Sequence, residues 1–120
     1  MAKKQDRDEK FEKDIITGII SLILLAIIKN SKEPLYGYQI AKRMEEVNET
    51  GIELKQGTIY PVLRALEKKK LLRSTIKASE SGPPRKYYLI TAEGKEKLKV
   101  WKSAWLNTST LVENVLRGDY

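Results

Sequence analysis

The apolar positions of this chain change period several times, and each change marks an element. Residues 1–13 are dense in mixed charge around a single aromatic, Phe11, and read as a charged N-terminal arm or the frayed start of a helix. Ile15–Ile28 is the most apolar run, 14 residues bracketed by Asp14 and Lys29 and broken only by Thr17, Gly18 and Ser21. As a helix it is about 21 Å long, too short for a hydrocarbon core of about 30 Å, so a membrane is not its partner. A helix apolar on nearly all sides needs its own core on one face and a second partner on the other, and another copy of the chain is the economical candidate. Ser31 and Pro34 punctuate a linker. Tyr36–Val47 then reads as a second helix, with Ile40, Ala41, Met44 and Val47 as its buried stripe.

Gly51 marks a turn, and Ile52–Lys55 is expected to pair as a short strand. In Leu54–Leu72 the residues Ile59, Val62, Leu63 and Leu66 recur at helical spacing, while Gly57, Pro61, Arg64 and Lys68 fall on the opposite face. Thr58 is the expected N-cap, which puts Pro61 in the first turn, where its missing N–H is harmless. Leu71–Lys77 and Lys86–Ile90 alternate as two strands joined by ASESGPPR, a turn stiffened by glycine and two prolines. Arg85 and Lys86 are placed at its tip. Thr91 caps a last helix from Ala92 to about Leu116, which at about 37 Å overhangs so small a domain. The order predicts a mainly α fold: a winged helix-turn-helix of three helices plus a two-stranded β-hairpin wing, followed by a long C-terminal dimerisation helix. The expected divisions are an arm at 1–13, the winged domain at 14–91, and a dimerisation helix and tail at 92–120.

Charge sharpens this picture. The net charge is +7, and residues 55–86 alone carry nine basic and two acidic groups, so the whole excess surrounds the third helix and the hairpin. A block this localised favours a polyanionic partner, double-stranded DNA. The chain has no cysteine and no histidine, which excludes disulfides, thiolate metal sites, cysteine nucleophiles and imidazole bases. With no paired carboxylates beyond the solvated Glu45–Glu46, neither an enzyme nor a metal or cofactor site is expected. A reducing cytoplasm is the default compartment.

Three blocks carry a family likeness: LYGYQIAKRM at 35–44, GTIYPVLRALEKKKLL at 57–72 and GPPRKYYLITAEGKEKL at 82–98. In this order and spacing the chain resembles the PadR-type transcriptional regulators, and its short tail resembles the compact members with a single C-terminal helix. The resemblance implies a homodimeric winged-helix repressor that dimerises through its first and last helices. It also implies that Tyr38, Tyr60 and the Arg85–Lys86 pair lie close to DNA. Some short members hold flat aromatic ligands between dimer-facing tryptophans, which would make Trp101 and Trp105 a pocket for a small aromatic effector, with mid-helix Trp105 the better candidate. One departure is plain: Lys70 stands where the family usually has glycine, just past the third helix.

The expected DNA-binding residues are Tyr38, Gln56, Thr58, Tyr60, Pro61, Arg64, Lys68, Lys69, Arg85 and Lys86. Arg64 is the expected base reader, because its fork can bond a guanine edge bidentately. Lys68, Lys69 and Lys86 are expected to neutralise phosphates. The structural alternatives are a Tyr60 ring packed beside its helix, a capping role for Thr58 and core roles for the tryptophans. The dimer face is expected at Ile16, Ile20, Leu24 and Ile27 of the first helix and at Leu98, Trp101, Trp105, Val112 and Leu116 of the last. The competing function is a winged-helix protein-interaction module that binds no DNA, which would have no need of the basic block at 55–86.

Overall fold

The carboxylate of Asp8 accepts the N–H of Phe11 at 3.0 Å and so starts helix α1, Glu9–Asn30. The computed structural model describes residues 7–120; the first six residues of the expected arm lie outside the described residues. Most of the rest of that arm, from Glu9 to Lys13, is helical, with Glu9 and Glu12 in the first turn complementing the helix dipole. The elements that follow are β1 (Leu35–Tyr36), α2 (Gly37–Val47), α3 (Gln56–Lys68), β2 (Leu72–Lys77), β3 (Arg85–Ile90) and α4 (Ala92–Arg117). Among the described residues no helix is long and apolar enough to cross a membrane.

The winged helix-turn-helix is present, with one addition. The sheet has three strands in the order β1-β3-β2, all antiparallel, because Leu35 and Tyr36 pair with Tyr88 and Tyr87. The short strand therefore comes from the segment before α2. Ile52–Lys55, expected to pair, is irregular. The β2–β3 hairpin runs in register from Leu72 opposite Ile90 to Lys77 opposite Arg85. Arg85 and Lys86 are thus the first residues of β3, and the tip is the loop at 78–84.

The core lies where α1 crosses α2, α3 and the sheet. Leu24, Leu25, Ile40, Met44, Ile59, Leu63 and Leu66 are each almost wholly buried there. This corrects the expected dimer face. Leu24 is 0% exposed, Ile20 3% and Leu98 9%, so all three are used by the chain's own core. Ile16 and Ile27 are half-buried against it. The reason is the near-uniform apolarity of α1: its pattern shows that two faces are covered but not which face turns inward. The face left over carries Phe11 and Ile15, 62% and 44% exposed. Val47, expected inside, is exposed at the last turn of α2.

α4 is joined to α3 through a tight contact. Thr91 caps α4 by accepting the N–H of Gly94 at 2.9 Å, and its hydroxyl also lies 2.8 Å from the Lys70 carbonyl and 3.1 Å from that of Leu71. Gly94 is buried so closely that a Cβ there would overlap the Leu71 carbonyl oxygen. The helix borders α1 as far as Thr108, and Leu106, Leu111, Val112, Val115 and Leu116 are exposed.

Candidate nucleic-acid interface

α3 turns Ile59, Leu63 and Leu66 into the core and its other faces outward. Gln56, Gly57, Thr58, Pro61, Arg64 and Lys68 are all exposed. A stiff helix presenting small and basic groups is the shape that fits a major groove. The helix starts three residues earlier than expected: Lys55 is the N-cap and makes no side-chain cap bond. Thr58 is therefore the third helical residue, with its side chain free of the capping role. Pro61 is the sixth and sits inside the helix, so the Gly57 carbonyl, four residues back, meets no N–H at that position.

Tyr60 packs beside its helix as the structural alternative expects. Its ring is half-buried beside the first residue of α2, so close that a Cβ on Gly37 would lie 2.8 Å from the ring edge. Its hydroxyl remains at the surface and donates to Gln56 Oε1 at 3.4 Å. Tyr38 projects from the first turn of α2, 51% exposed. Together with Arg64 and Arg85 these tyrosines line a shallow depression of about 320 Å³ between α3, the start of α2 and the base of the wing. The free N–H groups of a helix start, phenolic hydroxyls and guanidinium groups are the donors that a phosphodiester backbone accepts from.

The wing is ordered by aromatic and charged contacts that the sequence pattern did not reveal. Tyr36 and Tyr87 meet edge to face, with centroids 5.2 Å apart. The Arg85 guanidinium lies 4.5 Å over the Tyr36 ring and Lys77 Nζ lies 5.4 Å over Tyr87. Cations seated on ring faces are held in place while still open to an anion. Tyr36 and Lys77 escaped sequence reading because the first is a strand residue only by long-range pairing and the second is one cation among nine in its block.

Two of the cations expected to meet phosphates have further neighbours within the protein. Lys69, the C-cap of α3, borders a groove on the far side, between α1 and α4. Lys86 lines the depression with Arg64 and Arg85 but is paired there: its Nζ is 2.7 Å from Glu67 Oε1 on α3. The other oxygen of Glu67 accepts the Ser74 hydroxyl from β2. The Lys86 ammonium, followed by that hydroxyl, holds the Glu67 carboxyl below the usual carboxylate range, and Glu67 raises the Lys86 ammonium in turn.

The α1–α4 groove has a volume of about 560 Å³ and holds both tryptophans, with Gly18, Ser21 and Ala104 leaving the space between them. Trp101 is half-buried against the core, and Trp105 is 41% exposed.

Lys70 explains itself here. It adopts φ +66°, the left-handed conformation that glycine takes cheaply. Its N–H donates to the Glu67 carbonyl at 2.9 Å, and the next N–H, of Leu71, reaches back to Leu66 at 3.0 Å. These are the two bonds of a Schellman ending, so the helix stops as it would with glycine.

Comparison with known proteins agrees with this geometry. The model of the transcriptional regulator PadR-like family matches residues 24–100. A PadR-like transcriptional regulator of Bacillus cereus is 39% identical, with 86% of this chain and 96% of that one covered and a TM-score of 0.69. A PadR family regulator of Clostridium difficile is 35% identical, covering 82% and 98%, at a TM-score of 0.68. A PadR family regulator of Eggerthella lenta is 30% identical, covering 89% of each chain, at a TM-score of 0.77. The match runs from the core of α1 through the reading helix and wing into α4, and the chain belongs to the PadR-like family, whose members are transcriptional regulators and not enzymes.

Proposed function

We propose that this DNA-binding regulator works in the cytoplasm as a homodimeric, sequence-specific repressor. The observation that carries the reading is the exposed face of α3, where Gln56, Thr58, Pro61, Arg64 and Lys68 stand together beside a wing bearing Arg85 and Lys77. Arg64 reads a base edge and Lys68 meets a phosphate. The second half of α4 supports the dimer: Leu111, Val112, Val115 and Leu116 are each 48–78% exposed in one chain, a continuous apolar surface that a second copy would cover. Two-fold symmetry then puts two reading helices in successive major grooves, on a pseudo-palindrome with half-sites about 34 Å apart or a multiple of that. Bound across a promoter, the dimer blocks polymerase. The groove at Trp101 and Trp105 is the site for a flat aromatic effector, which would act by changing the angle between the two winged domains.

Selection of bound sequences from random duplex DNA tests the reading and returns the half-site spacing at once. Arg64→Ala should relax discrimination at one base position by about 1–3 kcal/mol, and Lys68→Ala should weaken all duplexes alike. Recovery of no enriched sequence, with a flat dependence of affinity on salt, would leave the protein-interaction module as the better reading.

A further inference from the structure

The contact between Glu67, Ser74 and Lys86 has no counterpart elsewhere among the described ion pairs. The other bridges join residues at most five apart in sequence, whereas this one joins α3 to both strands of the wing. Glu67 lies one turn after Arg64 on the reading helix. One of its oxygens meets the Lys86 ammonium of β3 at 2.7 Å and the other the Ser74 hydroxyl of β2. Side chains alternate across a strand. Arg85 therefore goes to the outer face, over Tyr36, and Lys86 goes to the inner face, between sheet and helix. There the Lys86 and Glu67 side chains keep 39% and 30% of their exposure, and Lys86 borders the same depression as Arg64 and Arg85, held by its carboxylate partner. No other carboxylate or cation among the described residues joins the cluster, which is completed by the Tyr88 ring, 5.4 Å beneath the Lys86 ammonium.

We propose that Glu67 is a positioning residue that fixes the angle of the wing against the reading helix and, in doing so, removes Lys86 from the cations that neutralise DNA phosphates. The clamp joins the two surfaces that must meet one duplex together, the face of α3 and the base of the wing. A pair already neutral inside the protein releases no counterion from DNA on docking. It therefore adds nothing to the salt dependence, whereas a lysine on a phosphate adds about 0.9 to the slope of log affinity against log salt. The inference rests on the DNA-binding reading above.

The test measures that slope for the full chain on a labelled duplex of random sequence. The wild type is compared with Glu67→Gln and with the neutral pair Glu67→Gln/Lys86→Met. The neutral pair should keep the wild-type slope, with affinity reduced at every salt concentration because the wing is looser. Glu67→Gln alone frees Lys86 and should steepen the slope by about 0.9 per protomer. Amide exchange should rise in β2 and β3 in both variants and stay unchanged in α1 and α2. A neutral pair with a slope flatter by about 0.9 per protomer would make Lys86 a phosphate contact and overturn the inference. So would Glu67→Gln with the wild-type slope, or wing amides as protected as in the wild type. A wild-type protein that binds no duplex overturns the DNA-binding reading instead, and amide exchange still decides whether Glu67 holds the wing.

Discussion

Replacing Lys70 with glycine should make this protein more stable, although it removes a side chain and adds none. Lys70 sits at φ +66° between the end of α3 and the start of β2. An L-residue with a Cβ in that conformation carries about 1–2 kcal/mol of steric strain. Glycine relieves the strain, but its unfolded chain is freer, which returns about 0.4–1 kcal/mol. The difference, about 0.5–1 kcal/mol in favour of Lys70→Gly, is not offset by lost packing, because the lysine side chain is exposed. The two backbone bonds of the ending, from Lys70 and Leu71 to Glu67 and Leu66, need no side chain at 70. Urea unfolding followed by circular dichroism should show a higher midpoint with an unchanged m-value, at one fixed protein concentration so that any dimerisation contributes equally. Lys70→Ala is the control, since it removes the charge and keeps the Cβ. If alanine stabilises as much as glycine, relief of charge crowding and not backbone strain is the cause. If glycine lowers the midpoint, the left-handed ending is not the folded state's geometry.

Gly94→Ala should destabilise by about 2–3 kcal/mol in the same assay, because the new methyl group would meet the Leu71 carbonyl and α4 would have to move away. Leu24→Ala should cost about 2–5 kcal/mol as a core cavity, while Val112→Ser and Leu116→Ser should leave far-ultraviolet circular dichroism unchanged and shift sedimentation equilibrium towards monomer. The wing clamp should give a pH-dependent stability difference between wild type and Glu67→Gln. The folded Glu67 carboxyl is held below its ordinary value, so its contribution is present above about pH 4–5 and lost as the pH falls through the folded value. The raised Lys86 ammonium keeps its contribution below about pH 10 and loses it as the pH rises through the folded value. Thermal melts should therefore differ by a constant amount, at most about 1 kcal/mol for a partly exposed pair, between those limits and converge at acid pH.

Helix-period stripes made α2 and α3 legible, because each has one apolar face and one core to meet. The hairpin was legible from alternation and from the Gly82-Pro83-Pro84 turn, and Thr91 marked the start of α4 to the residue. What stayed hidden depends on partners distant in sequence. β1 is two residues long and is a strand only because Tyr87 and Tyr88 lie beside it. In α1 the stripe taken for a dimer face is the stripe the core uses, since a helix apolar all round carries no record of which side turns inward.

The proposed DNA-facing surface was legible in the same uneven way. α3 is amphipathic, so its outward residues follow from its inward ones, and Gln56, Arg64 and Lys68 needed no tertiary information. Lys69 and Lys86 did. Both are cations in the densest basic block of the chain, and charge density alone assigns every member of such a block to the same partner. Lys69 comes one residue after the last helical turn, and its side chain borders the groove facing α1 and α4. Lys86 comes one residue after Arg85 and takes the opposite face of the sheet. A single step along a helix end or a strand thus gives neighbouring cations different partners. The polyanion-binding character of residues 55–86 follows from their sum, but the number of phosphates the protein neutralises follows only from the direction of each side chain. That is why the salt slope, and not net charge, is the quantity that distinguishes the two accounts of Lys86.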